Sequence, residues 1–212
     1  MKQLILTVGL LAAAILSSSD AAEPPAAAAK PVPAAPSPQV QVVTAMGNFT
    51  IELNAERAPL TVAQFLKNVD QGYYSGTIFH RAVPNFLIQG GGYEPDYKLK
   101  GSPPKVVNES GNGLTNQRGA VGLARPPEPH AGDVQFYVNL NDNAALDPNA
   151  TRWGYAVFGR VIDGMDVVDR IGNVATGKHG AIDETPIKPV VILKIERVGA
   201  ASGSSGAAAP KP

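Results

Sequence analysis

Residues 79–91 read FHRAVPNFLIQGG, a run of strand-forming residues that contains one arginine and is broken by Pro84. Successive side chains of a strand point to opposite faces, so we expect Phe79 and Arg81 to share one face and His80 to lie on the other. A single arginine in a strand is most often a solvated surface charge, and that is the alternative interpretation of Arg81.

The second half of the stretch adds three kinds of side chain that could accompany the arginine. Phe86 is aromatic, Leu87 is aliphatic and Gln89 ends in an amide. Together with Arg81 they bring a cation, an apolar surface and a hydrogen-bonding amide within reach of one another.

Two strands and a helix are predicted before this stretch. QVVTA and NFTIEL, on either side of Met46-Gly47, predict a β-hairpin over residues 40–53. Pro59 suits the first position of a helix, apolar residues recur after it at helical spacing, and Gly72 suits the residue that ends it.

The second half of the chain consists of short apolar runs broken by Gly, Pro and Asn. A second helix is predicted over residues 164–171 with Asp163 as its N-cap, and Pro189 introduces a closing strand, VVILKIERV. Many short strands with only two helices favour a mainly β fold, a closed antiparallel barrel capped by those helices. A β-sandwich is the alternative architecture.

The two ends of the chain differ in composition from the part between them. Residues 1–22 have a basic start, an apolar run of about 13 residues and a small-residue stretch, which predicts a secretory signal peptide. A spanning helix needs about 20 apolar residues, so no stable membrane insertion is expected after cleavage; a buried N-terminal helix is the alternative. Residues 23–38 predict an Ala/Pro-rich linker and residues 199–212 a disordered tail, leaving residues 39–198 as one domain.

Composition argues against several kinds of function. The chain has 18 basic and 18 acidic residues, so nucleic acid is a poor candidate partner. Cysteine is absent, which removes disulfides, thiolate chemistry and cysteine-ligated zinc. His80, His130 and His179 lie about fifty residues apart, without the spacing of a local metal site. Neither a metal nor a cofactor is expected.

Residues 79–91 resemble the signature of the cyclophilins, which runs F-H-R, then proline, phenylalanine, a methionine or leucine, and Q-G-G. The likeness extends over about residues 40–198, and its spacing resembles the shorter bacterial members, so with the signal peptide a periplasmic-like member is expected. The further matching motifs are, in chain order, Asn112-Gly113-Leu114, Arg118-Gly119, Gly122-Leu123-Ala124, the run from Gln135 to Asn139, the run from Asn143 to Asp147, the run from Tyr155 to Val161, and Gly164-Met165.

The resemblance implies an eight-stranded barrel with two capping helices and a surface groove that binds X-Pro peptides. It identifies Arg81 as the principal catalytic residue, with Phe86 and Gln89 as further catalytic residues. Contacts with the proline ring, the substrate backbone and the rim of the groove are implied for a second set: His80, Leu87, Ala124, Gln135, Phe136, Tyr137, Leu146 and Tyr155.

The activity that this resemblance implies is peptidyl-prolyl cis–trans isomerisation in exported proteins, by an arginine that hydrogen-bonds the prolyl nitrogen. We expect a monomer, periplasmic or secreted, that acts on proline-containing, unfolded or partly folded polypeptides. Two other functions stay open. One is a cyclophilin-fold chaperone or binding module in which catalysis is incidental, and the other is a structural or adhesion barrel on a Pro-rich stalk.

Two of the departures from the family pattern affect the expected behaviour of the site. Ala145 stands where many members have a tryptophan or phenylalanine that helps to bind the inhibitor cyclosporin, so weak inhibition is expected. Tyr137 stands where phenylalanine is typical at the base of the proline pocket. Its hydroxyl needs a hydrogen-bond partner, or else its burial costs roughly 1–3 kcal/mol.

Overall fold

The computed structural model describes residues 37–101 and 104–199, in which ten strands, two α-helices and one short 3-10 helix follow one another. The strands are β1 (Gln39–Thr44), β2 (Gly47–Leu53), β3 (Ile78–Val83), β4 (Leu87–Tyr93), β5 (Ala120–Leu123), β6 (Phe136–Asn139), β7 (Val157–Asp163), β8 (Thr176–His179), β9 (Ile182–Pro186) and β10 (Val190–Arg197). The helices are α1 (Pro59–Asp70), α2 (Met165–Gly172) and the 3-10 helix Ala144–Leu146.

Eight of the ten strands form a closed antiparallel barrel in the order β1-β10-β3-β4-β6-β5-β7-β2, with β2 returning to β1. The other two strands, β8 and β9, pair with each other as a separate two-stranded sheet, and β9 lies against β3. The predicted fold class, a closed eight-stranded barrel with two helices, is therefore confirmed, and the β-sandwich alternative is wrong.

Helix α1 is terminated by the glycine that the sequence predicts, two residues beyond Asp70, and it is capped at its start by a distant residue. Gly72 has a φ of +66°, its N–H bonds the Val69 carbonyl, and the N–H of Tyr73 bonds the Asn68 carbonyl. This pair of bonds is a Schellman motif, which glycine favours because it lacks a Cβ. At the other end the Glu109 carboxylate accepts the N–H groups of the second and third helical residues, at 3.0 and 2.8 Å.

One apolar core fills the barrel and includes side chains from both helices. The ring of Phe65, on α1, lies 5.1–5.7 Å from the rings of Tyr74, Phe136 and Phe158. Three buried side chains of α2 join the same cluster. Since buried aromatic side chains remove the largest apolar areas from water, these rings account for a large share of the core's stabilisation.

Two details of the predicted structure are wrong. Asp163 is the last residue of β7, and Gly164, with a φ of +77°, is the N-cap of α2. In β3 the register shifts between Phe79 and Arg81: Phe79 and Ala82 are both buried in the barrel core, whereas Arg81 is half-buried at the surface. This bulge puts Phe79 and Arg81 on opposite faces, because the extra residue breaks the alternation on which the prediction rested.

The predicted signal peptide, the linker before Ser37 and the tail beyond Gly199 lie outside the described residues. Within residues 37–101 and 104–199, no helix is long and apolar enough to cross a membrane. The same residues contain no cluster of three His, Asp or Glu side chains that could hold a metal ion.

Candidate active site

Arg81 lies on β3 in contact with an aromatic ring and a carboxylate. Its Cζ is 5.9 Å from the centre of the Phe86 ring. Its Nε donates to Oε2 of Glu184 at 2.9 Å, and its Nη2 lies 2.8 Å from the same oxygen. Across the β3–β4 ladder the residue opposite Arg81 is Gln89. The arginine is therefore held beside the residues predicted to accompany it, and the interpretation as an isolated surface charge is wrong.

A second, smaller apolar cluster lies apart from the barrel core and includes the Phe86 ring beside Arg81; we call it the pocket cluster. Its members, three buried and three half-buried, are Leu87, Ala124 and Tyr137, and Phe86, Leu146 and Tyr155. All six were predicted as site residues from the sequence, although they come from five separate parts of the chain. The cluster has a buried base and partly exposed rings, so an apolar ring of a peptide could rest on it.

Two glutamine side chains pair beside this cluster. Gln89 Nε2, on β4, donates to Gln135 Oε1 at 3.0 Å. The Gln135 carbonyl in turn accepts the N–H of Ala124 at 2.8 Å. A Cβ at position 92 would lie 2.8 Å from Gln135 Cδ, so Gly92 leaves the space that this side chain occupies. The pair does not use the Gln89 oxygen or the Gln135 nitrogen, which are one acceptor and one donor suited to a peptide backbone.

The hydroxyl of Tyr137 has a partner that the sequence did not reveal. It donates to Oδ1 of Asn116 at 2.5 Å. Asn116 is itself held by Asp147, whose Oδ1 accepts both the backbone N–H and Nδ2 of Asn116 at 2.8 Å. The buried hydroxyl is therefore satisfied, and the desolvation cost considered for Tyr137 does not arise. The sequence indicates that such a partner is needed, but not which of its asparagines supplies it.

Two further buried asparagines hold the backbone of Phe86. Asn143 Nδ2 donates to the Phe86 carbonyl and to Asn139 Oδ1, at 2.8 Å in each case. Asn139 Nδ2 donates to Asn116 Oδ1 at 3.2 Å. A continuous chain of amides thus connects the Tyr137 hydroxyl with the backbone of Phe86, and such networks rigidify a site when every member is bonded.

His80, predicted at the rim of the groove, is buried. Only 4% of the residue is exposed, and its ring lies 4.5 Å from the ring of Tyr93. Burial, and to a smaller extent the charge of Arg81, lowers the pKa of His80 to about 4. The imidazole is therefore neutral at pH 7. The predicted contact of His80 with substrate is wrong, because the bulge in β3 leaves this side chain inside the protein.

Phe136, also predicted to bind substrate, lies in the barrel core. It is fully buried, and its ring stands edge-on to those of Phe65, Tyr74 and Phe79. Its neighbour Tyr137 belongs to the pocket cluster instead. Strand alternation explains the difference, since adjacent residues of β6 point to opposite faces. The prediction of Phe136 as a substrate-binding residue is therefore wrong.

The rim of the pocket cluster carries a second arginine that the sequence did not indicate. Tyr155 stands edge-on to Tyr137 with ring centres 6.1 Å apart, and its N–H donates to the Leu146 carbonyl at 2.9 Å. The Cζ of Arg125 is 4.7 Å from the centre of the Tyr155 ring. Ala145, next to Leu146, is exposed and places only a methyl group on this rim.

A closed antiparallel barrel that carries an arginine, a small and partly exposed apolar cluster and a pair of amides is suited to binding an extended peptide with an uncharged ring. Residues 39–197 match the family described as cyclophilin type peptidyl-prolyl cis-trans isomerase/CLD. The chain therefore belongs to the cyclophilin-type peptidyl-prolyl cis–trans isomerases, and it is an enzyme of that class.

Individual proteins show the same likeness. A peptidyl-prolyl cis-trans isomerase of Acinetobacter baylyi is 45% identical over 157 residues, which cover 74% of this chain and 84% of the relative. Peptidyl-prolyl cis-trans isomerase B of Escherichia coli is 43% identical over 152 residues, 70% of this chain and 93% of the relative. Among solved structures, a cyclophilin type isomerase of Cryptosporidium parvum matches with a TM-score of 0.67 at 26% identity, covering 76% of this chain and 98% of that one.

Proposed function

We propose that this isomerase accelerates rotation about X-Pro bonds in exported polypeptides, and that Arg81 does so by hydrogen-bonding the prolyl nitrogen. The observation that carries the proposal is the position of the Arg81 Cζ, 5.9 Å from the Phe86 ring at the edge of the pocket cluster. A proline ring held on this cluster lies close to the guanidinium.

The chemistry needs no nucleophile, because no covalent bond is broken. Resonance holds a peptide bond behind a barrier of about 18–20 kcal/mol, and an uncatalysed X-Pro bond exchanges in tens to hundreds of seconds. In the twisted state the prolyl nitrogen becomes pyramidal and regains a lone pair. A guanidinium that donates to this lone pair binds the twisted state more tightly than either planar state, and this difference is what accelerates the reaction.

The amide pair and the pocket cluster have a different task from Arg81. The cluster receives the proline ring, and Gln89 with Gln135 holds the adjoining backbone, so one side of the X-Pro bond is fixed while the other side turns. These contacts are similar in the planar and twisted states. They therefore contribute to substrate binding more than to turnover.

The proposed setting is the periplasm or the exterior of the cell, as for a periplasmic-like bacterial cyclophilin. It is supported by the basic, apolar and small-residue order of residues 1–22, with cleavage near Ala21 or Ala22. Residues 23–38 would then lead the mature chain as its Ala/Pro-rich linker. In this setting the clients are unfolded or partly folded exported proteins, and the enzyme acts as a monomer.

The catalytic part of the proposal is tested by Arg81→Ala beside a matched control, Arg160→Ala. Arg160 forms a comparable ion pair with Glu52, at 2.8 Å, elsewhere on the barrel. Removing one charge-stabilising donor from an active site typically lowers turnover by about 10²–10³. We expect a loss of that size in kcat/KM for Arg81→Ala on a proline tetrapeptide, with both variants folded and Arg160→Ala unchanged. Turnover near that of the wild type in Arg81→Ala would overturn the role given to the arginine.

The proposed export is tested by expressing the full chain in a bacterium with two membranes and sequencing the N-terminus of the protein recovered from the periplasm. We expect a mature chain that begins close to Ala22. A protein that stays in the cytoplasm with Met1 in place would contradict it.

A further inference from the structure

The carboxylate that contacts Arg81 comes from outside the barrel. Glu184 lies on β9, a strand of the two-stranded sheet that packs on β3, and it is 103 residues from Arg81 in sequence. We infer that Glu184 is a positioning residue for Arg81: it holds the guanidinium in the orientation that catalysis needs. The inference rests on the function proposed above for Arg81.

The contact engages one edge of the guanidinium and leaves donors for a substrate. Arg81 Nε donates to Oε2 of Glu184, and Nη2 lies 2.8 Å from the same oxygen. A guanidinium has five N–H donors, and the two on Nη1 lie away from this contact. In the part of the chain that the structure describes, these two have no hydrogen-bond partner. Glu184 therefore fixes the plane of the group without using the donors that would reach a peptide.

The backbone at Glu184 indicates that this residue is held in place by its surroundings. Its φ is +58°, in the left-handed region that a non-glycine residue rarely adopts. Thr185 and Pro186 beside it are buried, and the Pro186 carbonyl accepts the Tyr97 hydroxyl at 3.0 Å. The Tyr97 ring also stacks on His179 of β8, with ring centres 4.0 Å apart. Backbone strain of this kind persists where the surrounding structure enforces it, and it is most common at functional sites.

Folding stability is a poor explanation for this ion pair. The side chains of Arg81 and Glu184 are 33% and 42% exposed, and ion pairs with such access to solvent contribute little to stability. An arginine has many rotamers, however, and an unrestrained guanidinium would spend only part of its time in the catalytic orientation. The negative charge also weakens the field of Arg81, but water screens this effect in an open site. We therefore expect removal of the carboxylate to slow turnover.

The test compares three variants of the full chain. Glu184→Gln keeps the size of the side chain and removes the charge. Glu184→Asn suits the left-handed backbone and is one methylene too short for the contact. Asp183→Asn is the matched control, because Asp183 is the preceding residue of β9 and pairs with Lys178 at 3.2 Å instead. Turnover is measured by NMR exchange at saturating Ala-Ala-Pro-Phe peptide, and Kd by titration.

We expect kcat to fall three- to tenfold in both Glu184 variants, with the peptide Kd changed less than twofold and the melting temperature not lowered in Glu184→Asn. Asp183→Asn should match the wild type. In an Arg81→Ala background, Glu184→Gln should cause no further loss. The Nε–H resonance of Arg81 gives a readout independent of activity: it should be protected from exchange with water in the wild type and not in Glu184→Gln.

Three results would refute the inference. The first is an unchanged kcat in Glu184→Gln, and the second is a fall in kcat from Glu184→Gln that is as large in the Arg81→Ala background as in the wild type. The third is an Arg81 Nε–H resonance that exchanges freely with water in the wild type. If the wild type showed no isomerase activity, the proposed function would fail and this inference with it. If the wild type were active and the Glu184 variants had the same kcat, only the inference about Glu184 would be refuted.

Discussion

The hydrogen bond beneath the pocket cluster yields a stability prediction that can be worked out from the structure. Tyr137→Phe removes the hydroxyl that donates to Asn116 at 2.5 Å in a side chain of which 2% is exposed. Asn116 Oδ1 keeps a second donor, Asn139 Nδ2 at 3.2 Å, so no buried acceptor is left without a partner. The cost is then the net value of one hydrogen bond, about 1 kcal/mol. For a domain of this size that lowers Tm by roughly 2–4 °C.

Asn116→Ala removes the acceptor and should cost considerably more. It leaves two buried donors, the Tyr137 hydroxyl and Asn139 Nδ2, without the oxygen that they share. Each stranded buried group costs about 1–3 kcal/mol, so we expect roughly 2–6 kcal/mol in total. The difference between the two variants thus reports whether the shared oxygen holds the amide chain together.

The assay is urea unfolding followed by circular dichroism, with kcat/KM on a proline tetrapeptide measured in parallel. Tyr155→Phe is the matched control, because it keeps the ring contacts of Tyr155 with Tyr137 and Arg125 and its backbone hydrogen bond to Leu146. We expect the control to stay within about 0.5 kcal/mol of the wild type. Tyr137→Phe should keep kcat/KM within about threefold, since the ring that meets the proline remains. The reasoning is refuted if Asn116→Ala costs no more than Tyr137→Phe, or if removing the hydroxyl stabilises the protein.

Two further predictions concern single residues of the site. His80 has a pKa of about 4 in the folded protein and about 6.5 unfolded, so the unfolded state binds more protons between these values and stability falls as pH drops from 6.5 to 4. In urea unfolding, the protonation of His80 should make the free energy of unfolding roughly 2 kcal/mol smaller at pH 5 than at pH 7, and His80→Leu should lack this contribution. The same pH dependence of stability in the wild type and in His80→Leu would contradict the prediction. Ala145→Trp should strengthen cyclosporin inhibition at least tenfold, because it restores an aromatic ring beside Leu146, while kcat/KM on a tetrapeptide changes little. Strong inhibition of the wild type would show that the ring is not needed.

The parts of the fold that local patterns determine could be predicted from the sequence. Helix α1 follows from Pro59, the spacing of its apolar residues and Gly72, and each lies where these rules put it. The first hairpin follows from two alternating runs around a short turn, which falls at Ala45 and Met46. In both cases the interactions that decide the structure join residues a few positions apart, so the sequence displays them directly.

The two wrong site assignments, His80 and Phe136, concern side chains that point into the protein and not toward the site. Phe136 could have been placed correctly, because side chains alternate in an extended segment and its two neighbours, Gln135 and Tyr137, both lie at the site. His80 could not, because the bulge that turns it inward depends on how β3 pairs with β4. A bulge is a property of two strands together, and one strand read alone shows only its own alternation.

Glu184 shows why a charge partner is the hardest part of a site to predict. Its segment, IDETP, has neither a strong strand pattern nor a helical period, and no element was predicted between α2 and Pro189. The residue reaches Arg81 only because β8 and β9 pair with each other and this sheet then packs on β3. The apolar residues of the site could be assigned because the motifs that contain them resemble those of the cyclophilins. A carboxylate at any surface position can be solvated by water, so the residue type does not indicate which side chain it contacts. Only the three-dimensional contact with Arg81 distinguishes Glu184 from the neighbouring Asp183.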